Sequence, residues 1–156
     1  MNQLFQPLLR KCVLVFFDDI LVYSPSWQSH LQHVEIMFQI LSQNVLFAKL
    51  SKCSFGLSEV EYLGHIVSGD GVSMVSTKVQ AVLDWLIPTN LKQLRRFLGL
   101  TGYYRRFIKS YATIAGSLTN LLKKDAFRWD ENTQRDFEQL KTAITSAPVL
   151  VLPDFS

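Results

Sequence analysis

Two apolar runs, 12–17 and 20–23, are separated only by Asp18 and Asp19, and this arrangement constrains the fold more than any other feature of the chain. Both runs are rich in β-branched and aromatic residues and read as strands. The short gap makes them a tight β-hairpin with the two acids at its tip. A surface hairpin alternates apolar and polar residues. Here Val13-Leu14-Val15-Phe16-Phe17 and Ile20-Leu21-Val22 are apolar on both faces, which predicts strands covered on each side. Adjacent acids are ordinary chemistry for a solvated turn. At the rim of a buried hairpin they are costly unless a cation compensates. Hard divalent ions favour carboxylate oxygens and support in-line attack at phosphorus. Asp18 and Asp19 are therefore candidate metal-binding and catalytic residues.

After the hairpin, Ser24-Pro25-Ser26 can cap a helix in which Leu31, Val34, Phe38 and Leu41 recur at helical spacing until Asn44. Strand-like pieces are predicted at 47–50, 53–57 and 60–67, closed by the turn Ser68-Gly69-Asp70-Gly71. The second half is helical. Ser76 is the expected cap of a helix carrying Val79, Val82, Leu83 and Leu86, with Pro88 as its stop. Asn90 and Gln93 have capping-box spacing ahead of Leu94, Phe97 and Leu98. Gly99 and Gly102 are expected to interrupt that helix. Another helix carries Ile114, Leu118, Leu121 and Leu122. Asp130 caps a last one, with Phe137, Leu140 and Ile144 on one face, before Pro148 and a short strand at 149–152. The fold class is α+β in front and α-helical behind.

Charge distribution adds a binding partner. The net charge is only +3, yet Lys92, Arg95, Arg96, Arg105, Arg106, Lys109, Lys123 and Lys124 lie in a stretch without Asp or Glu. A one-signed stretch suits a polyanion such as nucleic acid; the plain alternative is a solvated helix face. Tyr103, Tyr104, Phe107 and Tyr111 are interleaved with these cations and can stack on bases or form a small core. No apolar run approaches the roughly 20 residues of a membrane helix, so no membrane partner is expected. No secretory signal follows Met1. Cys12 and Cys53 are far apart and lack metal-binding spacing, which predicts a reduced, intracellular, zinc-free protein. Cys53 reads as a core residue, and His30 and His33 as solvent-facing polar residues rather than ligands.

Together these motifs resemble a known family. Phe16-Phe17-Asp18-Asp19-Ile20-Leu21-Val22-Tyr23-Ser24 closely resembles the catalytic hairpin of gypsy-type LTR-retrotransposon reverse transcriptases, with Phe16 where retroviral relatives usually have Tyr. Lys52-Cys53-Ser54-Phe55 is similar to the strand after the palm helix, and Tyr62-Leu63-Gly64-His65-Ile66-Val67-Ser68 to the primer grip. Leu94-Arg95-Arg96-Phe97-Leu98-Gly99-Leu100 and Gly102-Tyr103-Tyr104-Arg105-Arg106-Phe107-Ile108 resemble the thumb. Trp129, Phe137, Leu140-Lys141 and Ser146-Ala147-Pro148-Val149-Leu150 resemble the segment leading into RNase H. The resemblance implies a partial palm over residues 1–69, a helical thumb over 70–118 and a connection over 119–156. It implies two-metal nucleotidyl transfer with Mg2+ held by Asp18, the main ligand, and Asp19. Leu63, Gly64 and His65 would hold the primer end. Lys92, Arg95, Arg96, Tyr104, Arg105, Arg106 and Lys109 would contact an RNA–DNA or DNA duplex, with a dNTP as substrate of the complete enzyme.

Departures from the family shape the expectation. The third carboxylate, which the family carries in a Leu-Asp-x-x-x-Gly-Tyr-like strand, has no match ahead of Asp18, and neither do the fingers. The chain also stops short of the first RNase H aspartate. Val75-Ser76 stands where the family often has Asp-Pro, weakening a helix start by about 1 kcal/mol. The expectation is a polymerase fragment that is inactive alone, with Mg2+ only in the complete polymerase and self-association through an exposed hairpin edge. The alternatives are a non-enzymatic nucleic-acid-binding module and a relic of a retroelement without function. The resemblance implies an intracellular location in cytoplasm or nucleus, with an organelle left open.

Overall fold

In the computed structural model, which describes residues 3–150, the strands β1 (Val13–Phe16) and β2 (Asp19–Val22) pair antiparallel, with Val13 opposite Val22 and Phe16 opposite Asp19. The turn is therefore Phe17-Asp18. Asp19 is the first residue of β2, a one-residue correction to the expected tip. Alternation sends Val13, Val15, Ile20 and Val22 against Phe5, Cys12, Met37 and Leu41. Leu14, Leu21 and Phe16 fall on the other face, outside that core. The expected cover on both faces is thus met on one only, and Phe16 and Phe17 are exposed.

Helix α1 (Trp27–Gln43) begins at Ser26, whose side chain accepts from the Ser29 amide, and ends at Asn44. Its buried stripe is rotated from the expected one. Met37, Ile40 and Leu41 meet the core, whereas Leu31 and Phe38 are exposed. The strands expected at 47–50 and 53–57 are absent. A single 3-10 turn, Leu50–Lys52, stands there, and Phe47, Leu50 and Leu57 are exposed. Short β-prone runs need a neighbouring ladder, and propensity alone does not supply one. Cys53 consequently sits half-buried on a loop, its thiol donating to the Lys49 carbonyl at 3.4 Å, rather than in a core strand. The expected strand at 60–67 is split into β3 (Glu59–Tyr62) and β4 (His65–Ser68) by Leu63-Gly64, both with positive φ.

The chain divides into two compact units between Tyr62 and Leu63. In the second, β4 pairs antiparallel with β5 (Gly71–Met74) around the Gly69-Asp70 turn. Val72 and Leu150 exchange backbone hydrogen bonds of 2.7 and 2.8 Å. This is the described start of the expected last strand, whose residues 151–152 lie outside the described residues. Gly71 has φ +136, and the Leu150 carbonyl occupies the space a Cβ would need, so only glycine fits this crossing.

Helix α2 (Ser76–Leu83) is preceded by Val75 without a side-chain cap, so Ser76 is its first helical residue rather than its cap. It ends well before Pro88, leaving Leu86 exposed. Trp85 instead turns in against Phe97, with ring centroids 5.8 Å apart, and its carbonyl accepts from Lys141 Nζ. Helix α3 (Leu91–Tyr103) is capped by Asn90 and runs through Gly99 and Gly102 without a break. The reciprocal half of the cap reaches one residue further back, where Gln93 Oε1 accepts from the Thr89 amide. Each interior glycine costs about 1 kcal/mol, and burial of Leu94, Phe97 and Thr101 offsets it. A 3-10 turn, Arg105–Phe107, follows. The single helix expected around Ile114–Leu122 is two short ones, α4 (Tyr111–Ile114) and α5 (Gly116–Asn120). Helix α6 (Glu131–Thr145) is capped by Asp130 and buries Phe137, Leu140 and Ile144 as expected. Those three share one core with Val82, Leu94, Phe97 and Leu118. No helix of the described residues is long and apolar enough to cross a membrane.

Candidate functional site

Three features carry the candidate chemistry. The first is the tip of the β1–β2 hairpin. Phe17, the first turn residue, has φ +52. Positive φ at that position is the arrangement for which glycine is preferred, so an aromatic residue there is strained. Asp18 and Asp19 are both exposed. By strand alternation Asp19 shares the outer face with Phe16. The Tyr62 hydroxyl donates to the Asp19 carbonyl at 3.5 Å. Burial raises the Tyr62 phenol above its ordinary pKa, and the negative charge of Asp19 raises it further. Two exposed hard oxygen donors fit a divalent cation that keeps waters or phosphate oxygens in its sphere. Among the described residues no group of three or more His, Cys, Asp or Glu is placed to hold a metal. The pair therefore supplies only part of a coordination shell.

The second feature is the turn Leu63-Gly64, at φ +50 and +71. Positive φ at both central residues defines the turn that Asn-Gly favours; Leu63 is the exception here. The Tyr103 hydroxyl donates to the Leu63 carbonyl at 2.5 Å, and the Tyr104 hydroxyl donates to the Gly64 carbonyl at 2.7 Å. His65 Nδ1 lies 2.9 Å from the Leu63 carbonyl. A carbonyl can only accept, so Nδ1 carries the proton. The His65 ring stacks on Phe107, with centroids 5.7 Å apart, and packs against both tyrosines.

The third feature is a set of exposed cations. Lys92, Arg95, Arg96, Arg105, Arg106 and Lys109 are all exposed. On α3 the positions 92, 96, 99 and 103 form one stripe, opposite the buried Leu94, Phe97 and Thr101. Nothing lies within 4 Å of a Cβ built on Gly99. Internal packing therefore gives no reason for a glycine there.

The other residues singled out from sequence divide unevenly. Tyr104 is only 2 % exposed, so its ring belongs to the core and not to a surface that nucleic acid could touch. Phe107 is likewise buried, whereas Tyr103 stays half open. His30 and His33 are not solvent-facing as expected. They are half-buried, with both Nδ1 atoms turned to Ser24 Oγ at 3.3 and 2.8 Å. Sequence reasoning missed the tyrosine hydroxyls on the Leu63-Gly64 turn. A contact spanning 40 residues leaves no local signal beyond the choice of Tyr over Phe.

Residues 1–67 match the family "Reverse transcriptase (RNA-dependent DNA polymerase)". The chain is 44% identical over 160 residues to the retrovirus-related Pol polyprotein from transposon 297 of Drosophila melanogaster, an alignment covering 99% of this chain and 15% of that polyprotein. It is 47% identical over 126 residues to an uncharacterized mitochondrial protein of Arabidopsis thaliana, covering 80% of each. Among solved structures, the foamy viral protease-reverse transcriptase dRH in complex with double-stranded DNA superposes with a TM-score of 0.87 at 24% identity, over 98% of this chain and 27% of that one. The foamy viral enzyme in complex with an RNA/DNA hybrid gives 0.82 at 24% identity, over 96% and 21%. At this identity the likeness establishes a shared fold.

Proposed function

We propose that the chain is the palm-to-thumb part of a gypsy-type RNA-directed DNA polymerase working within a longer polyprotein, a reading supported by the reverse transcriptase match over residues 1–67 and by 44% identity to a retrovirus-related Pol polyprotein. The observation that carries this reading is the exposed Asp18-Asp19 pair on a strained, apolar hairpin, which presents two carboxylates where packing asks for none. Asp18 and Asp19 would hold Mg2+, which when bound neutralises charge at the reacting phosphorus. Leu63, Gly64 and His65 form the turn that holds the primer end, with glycine permitting close approach. Lys92, Arg95, Arg96, Arg105, Arg106 and Lys109 track the duplex phosphates without choosing sequence. The unfilled Gly99 position lets a ligand approach the backbone of α3. The foamy viral enzymes of known structure are in complex with double-stranded DNA and with an RNA/DNA hybrid, which favours a duplex partner here. A palm over 1–69, a thumb over 70–118, a connection over 119–156 and an intracellular location belong to the same reading.

The test is titration of a labelled RNA–DNA hybrid at several salt concentrations. Affinity should fall linearly on a log–log plot. Replacing both Arg105 and Arg106 by Ala should reduce the slope by about 2, one unit per lost phosphate contact. Asp18→Asn should leave binding intact and, within the longer polyprotein, abolish primer extension. Binding indifferent to salt would overturn the duplex-tracking role.

A further inference from the structure

We propose that Tyr103 and Tyr104 are positioning residues for the primer end, their hydroxyls clamping the two consecutive carbonyls of the Leu63-Gly64 turn to the end of α3. The inference rests on the reading of that turn as the part that meets the primer. Its structural basis is independent of that reading. Leu63 holds a left-handed backbone (φ +50) that a residue with a Cβ adopts uphill, so surrounding contacts must hold it. Those contacts come from the end of α3. Tyr103 is the last residue of α3 and Tyr104 its cap, and their rings meet edge to face with centroids 5.0 Å apart. One hydroxyl reaches the Leu63 carbonyl and the other the Gly64 carbonyl.

Packing does not require these hydroxyls. Tyr104 is 2 % exposed, and a Phe would fill the same space. What the oxygens add is direction: each fixes one peptide plane of the turn. The Leu63 carbonyl also accepts from His65 Nδ1, so the clamp extends to the imidazole. With Nδ1 committed, Nε2 is the His65 nitrogen left to meet a ligand. Around Gly64, the nearest atoms to a built Cβ are the Tyr104 hydroxyl at 3.6 Å and Tyr103 Cε1 at 3.7 Å, ordinary contact distances. Glycine is therefore demanded there by its backbone angle and not by crowding. The same helix carries Lys92, Arg95 and Arg96 on its exposed face. A duplex held on that face would thus find the turn at a distance set by two hydrogen bonds rather than by a free loop.

The experiment compares the full chain with Tyr103→Phe and Tyr104→Phe in two measurements. Carbonyl-13C NMR reads Leu63 and Gly64 directly. Binding is measured to a primer–template with a recessed 3′ end and to a continuous duplex of the same sequence. The expected result is that Tyr103→Phe displaces the Leu63 carbonyl resonance and Tyr104→Phe that of Gly64. Preference for the recessed end should drop about fivefold, the worth of one ordinary hydrogen bond, while affinity for the continuous duplex stays unchanged. Unmoved resonances, or an unmoved preference for the recessed end, would overturn the clamp with the duplex-binding reading still standing. A wild-type chain that binds neither duplex would overturn both.

Discussion

At the scale of single residues, two of the positions with left-handed backbone lie beside the candidate chemistry, while Arg10, Val45, Ser110 and Asp125, also at positive φ, do not. Phe17 and Leu63 have positive φ, and each sits beside a residue singled out for function, Asp18 in one case and Gly64 in the other. Phe17 is also 80 % exposed, so burial gives little in return for its conformation. Its ring has an edge contact with Phe16, with centroids 4.8 Å apart. Phe17→Gly should therefore stabilise the chain by about 1 kcal/mol, the left-handed penalty for a residue with a Cβ. Thermal melting checks this. A lower Tm in the variant would mean that the Phe16 contact outweighs the strain.

Helix ends set the behaviour at the next scale. Asp130 accepts from the Thr133 amide and the Thr133 hydroxyl, each at 2.8 Å. The amide bond first and the hydroxyl bond second hold its carboxyl below the usual range. A depressed folded pKa means that folding favours the ionised acid. The cap's contribution is then complete above the ordinary carboxylate pKa and is lost as pH falls through the depressed value. Asn can cap without titrating. Tm measured against pH for the wild type and Asp130→Asn should show the wild type losing stability faster toward acid, so that its advantage over the variant shrinks. Parallel curves would contradict the cap as the source of the shift. α2 shows the opposite case: Val75 offers no side-chain cap, so nothing of this kind titrates at its start.

Across the whole molecule the two units differ in core size. The unit bearing Asp18 and Asp19 gathers its buried core from Phe5, Cys12, Val13, Met37 and Leu41, and it leaves Phe16, Trp27, Leu31, Phe47 and Leu50 exposed. The unit from Leu63 onward buries a larger set, with Phe97, Leu118, Phe137 and Leu140 fully enclosed. Protection follows buried apolar contact. In native-state hydrogen exchange, the amides of β1 and β2 should open at lower free energy than those of α3 and α6. Equal protection throughout would mean that the units unfold as one, and the difference in cores would not matter.

Much of this organisation was written locally. Apolar runs split by two acids make the hairpin, Asn90 and Asp130 start their helices because a short oxygen can reach an amide three residues on, and the acid-free run supplies exposed cations. These depend on near neighbours, and near neighbours are what a sequence shows. The one-residue displacement of the hairpin turn, the rotation of the α1 stripe toward Met37, the loss of strands at 47–57, and the continuity of α3 through Gly99 and Gly102 were decided by which partners were present to pack or pair. So was the burial of Tyr104 and the seating of both tyrosine hydroxyls on the Leu63-Gly64 turn. A residue's propensity is set by its own few bonds, but its face, its burial and its long-range hydrogen bonds depend on atoms that only the folded chain brings near.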